Sequence, residues 1–369
     1  MALDRILLSD FRNHSETSID GTARFNLLVG ENGAGKTNVL EAISLFAPGR
    51  GLRRAKLDDM PSQSGAGGFA IGADLLVGNE PVRLGTGMNA PQPGKRIVRI
   101  NQATAPAVRL AEWLSIGWLT PAMDRLFVEG AGARRRFLDR LVLAVVPAHA
   151  KNATRLENAL RERNRLLSDP NSPEPQWLDA IEAQIAEAGS AVAAARGDMI
   201  ERLSKALAAL PEGPFARPLL RYEPGGPTEQ AALAATLEQS RPRDLAAQRT
   251  LSGPHRDEIA VRMIGKGAEG SQPAAACSTG EQKAMLIAIV LAHSDILQSG
   301  TAGEERARLL LLDEVAAHLD PIRREALFSR LREGAAQVWL TGTELAPFAA
   351  IRDEAAIWEV KGGHALRIG

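Results

Sequence analysis

The chain has 369 residues, 45% hydrophobic, 24% charged and 4% aromatic, and its 44 basic residues balance 44 acidic ones. That length holds two or three compact units, and zero net charge excludes a global attraction to nucleic acid or anionic lipid, so any such binding must come from a local patch. A single cysteine, Cys277, excludes a disulfide framework or a multi-cysteine metal site, while Asp4, Arg5 and Asp10 interrupt the apolar N-terminus and no apolar run is long enough to span a bilayer, which reads as a cytoplasmic protein without a signal peptide.

In chain order, "DRILLSDF" (4–11) and "ARFNLLVG" (23–30) read as strands, the second ending in a glycine loop. "TNVLEAISLFAPG" (37–49) follows as a helix with a Pro-Gly stop, carrying Val39, Leu40, Ile43, Leu45 and Phe46 at helical spacing. "GGFAIGADLLVG", "EPVRLGTG" and "KRIVRIN" predict a small antiparallel sheet, and "LSIGWLTP" (114–121) a further strand. From about residue 121 the texture is helical: "RRRFLDRLVLAVV", "AKNATRLENALRERNRLLS" and a run over 175–210, with a compositional turn, "SDPNSPEP", at 168–175. In the last run Leu178, Ile181, Ile185, Val192, Met199, Leu203 and Leu207 recur at helical spacing. A helix of about 35 residues is about 50 Å long, a short arm, and alanine and glycine at many seam positions favour packing inside a lobe over a dimerising coiled coil. The last third returns to alternation: "DEIAVRMIG" (strand), "TGEQKAMLIAIVLAHSDIL" (helix), "RLLLLDE" (strand), "PIRREALFSRLREG" (helix) and "QVWLTGT" (strand). Apolar strands alternating with helices imply an α/β fold with a mainly parallel central sheet plus the small antiparallel one. Residues 1–120 with 250–369 are expected to form this part, and 121–249 an inserted α-helical lobe.

"GENGAGKT" fits G-x-x-x-x-G-K-[ST] at Gly30, Gly35, Lys36 and Thr37. Such a loop, here completed by Glu31, Asn32, Gly33 and Ala34, turns backbone N–H groups onto phosphates; the lysine reaches the outer phosphates and the threonine hydroxyl ligates Mg²⁺. "LLLLDE" places Asp313 at the end of a buried strand, able to hold the Mg²⁺ shell, with Glu314 beside it to orient or deprotonate an attacking water. In "CSTGEQK", Ser278 and Gly280 open a helix whose N–H groups form an anion site. Alone, that stretch reads as a plain helix cap. The order glycine loop, S-x-G-x-Q, "LLLLDE", "AHLD" reverses the preference and suggests that a second copy of the chain supplies Ser278–Gly280 to the first copy's ATP.

These words resemble the ABC-type ATPase heads of the SMC-like superfamily and, within it, the RecF family of bacterial DNA replication and repair proteins. "LLSDFRNH", "GRGLR", "TPAMDRLFVEGAGARRRFLDR", "LSGPHRDE", "STGEQK" and "LLLDEVAAHLD" carry the resemblance across most of the chain. It implies an ABC-type ATPase head and an ATP-dependent homodimer that closes on two ATP molecules with Mg²⁺. It further implies DNA binding at single-strand gaps and duplex junctions, and work with recombination mediator proteins to load a recombinase. Slow, DNA-stimulated hydrolysis in a cytoplasmic, nucleoid-associated protein would reset the dimer. By position, Lys36, Thr37 and Asn38 would serve the phosphates and Mg²⁺, Asp313 the metal through water, Glu314 the water, Ser278, Gly280 and Gln282 the partner's nucleotide, and Asp320 the dimer interface. The histidine that often follows the last buried strand is missing, so Thr341 or Thr343 is the candidate substitute, and Gln102 is a poor candidate for a glutamine lid. His255 and Arg256 belong to the family word without an assigned role.

For DNA the candidate surfaces are Arg50, Arg53, Arg54 and Lys56, and Arg134, Arg135, Arg136 and Arg140, expected to contact the backbone without sequence preference. Competing readings are the ATPase subunit of a transporter and a nucleotide-gated DNA clamp without significant turnover.

Overall fold

The computed structural model describes residues 2–77, 80–169, 174–211, 213–265, 270–298 and 306–369. The expected turn over 168–175 falls largely on 170–173, which lie outside the described residues. The chain divides into two compact units: Met1–Met123, Gly213–Phe215 and His293–Gly369 form the first, Asp124–Glu212 and Ala216–Ala292 the second.

In the first unit, "FNLLV" (Phe25–Val29) has all five side chains buried, as a strand covered on both faces must. Its polar member, Asn26, is satisfied locally: its amide bonds both the N–H and the carbonyl of Ala23. Around it runs a six-stranded sheet in the order His364–Arg367, Ala355–Lys361, Phe25–Val29, Gln337–Gly342, Ala307–Leu312, Leu114–Leu119. Every pairing is parallel except that of the first two strands. The carboxyl ends of the central strands therefore lie together, where parallel α/β sheets bind ligands.

A second, antiparallel sheet pairs His14–Asp20, Ala2–Phe11, Phe69–Val77, Glu80–Met88, Ile97–Ile100 and Ala103–Thr104 in that order. Helix Lys36–Ser44 buries Val39, Leu40 and Ile43 in the same core as Leu3, Ile6 and Leu8 of the antiparallel sheet and Leu309, Leu311 and Trp339 of the parallel one. Each such fully buried side chain contributes about 1.5–3 kcal/mol. The strand His14–Asp20 is not legible in the sequence, because two of its three buried positions are His14 and Thr17 rather than apolar residues.

The second unit contains helices Ala131–Val145, His149–Leu167, Pro175–Ala209, Gln230–Gln239 and Arg241–Ala247. The 35-residue helix buries Leu178, Ile185, Val192, Met199, Leu203 and Leu207. Its central part packs against His149–Leu167 and Gln230–Gln239 in a core made of Leu156, Leu160, Ile185, Val192, Leu233 and Leu237. Arg163, fully buried, is held by Glu182 and by Asp244 (2.7 Å). A three-stranded antiparallel sheet, Ser271–Pro273, Glu258–Ile264 and Pro218–Glu223, completes the unit. Residues from 250 were expected with the first unit, but Glu258–Ile264 pairs antiparallel with Pro218–Glu223, which draws the chain up to Ala292 into the second.

Candidate nucleotide-binding site

The loop Gly30–Gly35 leaves the carboxyl end of Phe25–Val29 and enters the helix beginning at Lys36. Two glycines are required by geometry. A Cβ on Gly30 would lie 2.2 Å from the Val360 carbonyl oxygen, and Gly35 has φ 118°, a left-handed conformation that side chains resist. Glu31, Asn32 and Gly33 are exposed, so the loop opens to solvent. Beneath it Lys36 is only 4% exposed, and its Nζ donates to the carbonyls of Gly30 (2.7 Å) and Glu31 (2.8 Å). Two of the three ammonium donors are thereby used, leaving one for an anion. Burial pushes the Lys36 pKa down, and the Glu314 and Asp313 carboxylates pull it back up.

Across from the loop, Asp313 follows the buried strand Ala307–Leu312. Its Oδ1 accepts from the Thr37 hydroxyl (2.9 Å) and from the Thr341 hydroxyl (2.8 Å). The Thr341 oxygen in turn accepts the backbone N–H of Glu314 (2.9 Å). Glu314 has φ 54°, a region that costs a non-glycine residue on the order of 1–3 kcal/mol and that clusters at functional sites. Thr341 is fully buried and its single hydroxyl proton goes to Asp313, so its place is behind the carboxylates rather than on a phosphate. Thr343 is exposed. Asp313 and Thr37 present hard oxygen donors side by side, the kind of set that Mg²⁺ takes with waters and phosphates filling its remaining positions.

The loop is braced from behind, partly by Arg12, Asn13, His14, Thr17 and Glu41, to which the sequence assigned no role. Asn13 Nδ2 donates to the Ala34 carbonyl (3.0 Å), which also accepts the backbone N–H of Gly363 (3.2 Å). The fully buried His14 places Nε2 3.1 Å from the Gly35 carbonyl and Nδ1 2.9 Å from Thr17 Oγ1, and Thr17 donates to the Gly363 carbonyl (2.8 Å). Asn38 Nδ2 donates to Asn13 Oδ1 (2.7 Å). Glu41, fully buried, is gripped by Arg12 through two bonds (2.7 and 3.0 Å) and by Arg53 (2.8 Å).

Other expected site residues have visible local roles. Ser278 and Glu281 form a reciprocal cap at the start of helix Thr279–Gln298: Ser278 N–H donates to Glu281 Oε2 (2.9 Å) and Glu281 N–H to Ser278 Oγ (3.4 Å). Ser278 and Gly280 are exposed; Gln282 is buried, with its amide on the Cys277 carbonyl (2.9 Å). Asp320 caps helix Pro321–Glu333 through the Arg323 N–H (2.9 Å). Gln102 lies in a turn at φ 70°. His255 bonds the Thr250 carbonyl (3.0 Å), and Arg256 is exposed.

The arginine runs divide. Arg50, Arg54, Lys56 and Arg136 are exposed. Arg53 is tied to Glu41, Arg134 forks onto Glu258 (2.6 and 2.7 Å), Arg135 donates to the Asp257 carbonyl (2.6 Å), and Arg140 lies over the Phe137 ring (5.1 Å).

The model of the RecF/RecN/SMC N terminal domain matches residues 2–352. The DNA replication and repair protein RecF of Mesorhizobium japonicum is 45% identical over 377 residues, covering 98% of this chain and 96% of the relative. That of Brucella abortus is 45% identical over 375 residues, covering 98% and 95%. The chain belongs to the RecF family. A solved structure of the recombination mediator protein RecF-ATP in the RecFOR pathway shares the fold along the whole chain, with TM-score 0.84 at 21% identity and 98% of that chain covered. An SMC head solved with the C-winged helix domain of ScpA also shares the RecF fold, with TM-score 0.53 at 14% identity, covering 100% of this chain and 97% of that one. Among the described residues no helix is long and apolar enough to cross a membrane.

Proposed function

We infer that this RecF-family chain is an ATP-dependent DNA-binding protein of recombinational repair, with a weak Mg²⁺-dependent ATPase activity. The observation that carries the reading is the cluster of Thr37, Asp313, Thr341 and Glu314 facing a glycine loop whose lysine is held beneath it. Gly30–Gly35 would surround the phosphates with N–H groups, Lys36 would pair with the outer ones, and Thr37 and Asp313 would hold Mg²⁺, Asp313 through water. When bound, that ion supplies charge neutralisation on the phosphate oxygens. Glu314, half-buried and fixed by its backbone to Thr341, orients the attacking water.

Ser278 and Gly280 stand exposed at a helix start, suited to closing on a second copy's γ-phosphate, so ATP joins two chains head to tail. Asp320 lies at that interface. Hydrolysis then opens the dimer. DNA is held through its backbone at duplex regions and gap junctions, without sequence preference, by exposed Arg50, Arg54, Lys56 and Arg136. Mediator proteins would act with this form to load the recombinase.

The test is sizing by light scattering with and without ATP, Mg²⁺ and gapped DNA, on wild type, Lys36→Ala and Glu314→Gln. Wild type should dimerise with ATP, Lys36→Ala should stay monomeric, and Glu314→Gln should persist as a DNA-bound dimer. A wild-type chain that remains single when saturated with a non-hydrolysable triphosphate and DNA overturns the dimer reading; a Glu314→Gln variant with wild-type turnover overturns the role of Glu314.

A further inference from the structure

The Ala34–Gly35 peptide is the last one before the helix, and no helical bond fixes its carbonyl. In a trans peptide the C=O and the following N–H point in opposite directions. Pulling the Ala34 oxygen to one side therefore aims the Gly35 N–H to the other, and fixing the Gly35 oxygen does the same for the Lys36 N–H. The Ala34 oxygen is pulled by two donors, Asn13 Nδ2 (3.0 Å) and Gly363 N–H (3.2 Å). The Gly35 oxygen accepts the first helical bonds from Asn38 (2.9 Å) and Val39 (3.2 Å), and His14 Nε2 adds a third contact at 3.1 Å. A carbonyl only accepts, so Nε2 carries the proton. The two side chains press close: a Cβ on Gly35 would lie 2.7 Å from His14 Nε2 and 2.8 Å from Asn13 Oδ1. Thr17, bonded to the Gly363 carbonyl and next to His14 Nδ1, joins this pair to the C-terminal hairpin.

We propose that Asn13 and His14 are positioning residues of the phosphate-binding loop, holding the Ala34–Gly35 segment from behind so that its N–H groups face the phosphates. The proposal rests on the ATP-binding reading above. Because the pair acts on the loop and not on base or sugar, its loss weakens every polyphosphate equally.

The experiment measures binding of a fluorescent ATP analogue, and its displacement by ATP, GTP and inorganic tripolyphosphate, all with Mg²⁺, to wild type, Asn13→Ala, His14→Leu and His14→Gln, with Tm recorded for each. Asn13→Ala and His14→Leu should weaken all three competitors by about five- to twentyfold, while His14→Gln, which retains an N–H for the Gly35 carbonyl, should stay within about threefold of wild type. Asn13 is exposed, so Asn13→Ala decides the matter even where His14→Leu does not fold. The proposal is overturned by wild-type affinity in Asn13→Ala, by a loss for ATP with tripolyphosphate unchanged, or by a His14→Gln variant as weak as His14→Leu. Wild type that binds neither ATP nor tripolyphosphate would sink the ATP reading itself.

Discussion

Replacing Thr341 by valine removes one hydroxyl and adds one methyl at a fully buried site, so volume is kept while two hydrogen bonds are lost. The bond to the charged Asp313 carboxylate contributes about 1.5–3 kcal/mol, and leaving the Glu314 N–H without an acceptor costs about 1–3 kcal/mol. Asp313 keeps its bond from Thr37, which limits the damage, and a net destabilisation of about 2–4 kcal/mol follows. The kinetic effect should be larger than the stability effect suggests. Glu314 occupies φ 54°, and its N–H bond to Thr341 is what holds it there. Once released, the backbone relaxes and the carboxylate leaves its aim, and a shift of about 1 Å can cost on the order of a hundredfold in rate. Lys36 and the glycine loop are untouched, so the KM for ATP should stay within about twofold. Phosphate release at saturating ATP, with and without DNA, reads kcat, and urea unfolding reads stability. Thr341→Ser keeps the hydroxyl and should restore both. A valine variant that hydrolyses ATP within about threefold of wild type would refute the claim that Thr341 sets Glu314.

Asp244→Ala should lower stability by about 3–5 kcal/mol, because Arg163 is then a fully buried cation with one of its two carboxylate partners gone; urea unfolding measures it. Charge reversal of Arg50, Arg54 and Lys56 should weaken DNA binding and flatten the plot of log affinity against log salt by about two to three units of slope, read by fluorescence anisotropy. Arg53→Glu should instead lower thermal stability, because it sets a carboxylate against the buried Glu41. Burial holds His14 and His255 below the ordinary histidine value of 6.5, with His364 opposing the charge on His14 and Arg256 and Arg135 opposing that on His255. The unfolded chain therefore takes up protons first as pH falls, so stability should be level above about pH 7.5 and decline through 6.5 toward the lower folded values. Urea midpoints at pH 7.5 and 5.5 test this, and His14→Gln with His255→Gln should flatten the difference.

What could be read from sequence was what is local. Gly30, Gly35, Lys36 and Thr37 occupy one turn of chain, and "LLLLDE" announces a buried strand and its acids in six letters. The braces could not be read, because they join residues outside any one element: Asn13 to Ala34, 21 positions on, Glu314 to Thr341, 27 on, and Thr17 to Gly363, 346 on. The strand Ala355–Lys361, which flanks the glycine loop, went unnoticed for the same reason. Charge pattern also leaves pairing unread. Arg134 looks like part of a basic surface until Glu258, 124 residues later in the chain, is seen in its fork. Nothing in "DEIAVRMIG" says that it pairs with Pro218–Glu223 rather than with a strand nearer the C-terminal end. Ser278 satisfies a helix-cap pattern and a nucleotide pattern with the same atoms, and one copy of the chain presents only the cap.

The hairpin joining Ala355–Lys361 to His364–Arg367 touches the phosphate loop at Gly30, through Val360, and at Ala34, through Gly363. Those contacts span more than 300 residues, so the loop acquires its final shape only after Val360 and Gly363 have been made. A nascent chain halted short of Gly363 carries every letter of "GENGAGKT" and still lacks the wall that shapes it. Competence to hold a nucleotide therefore arrives only once that hairpin is made, and a fragment released before it should compete poorly for the cell's ATP.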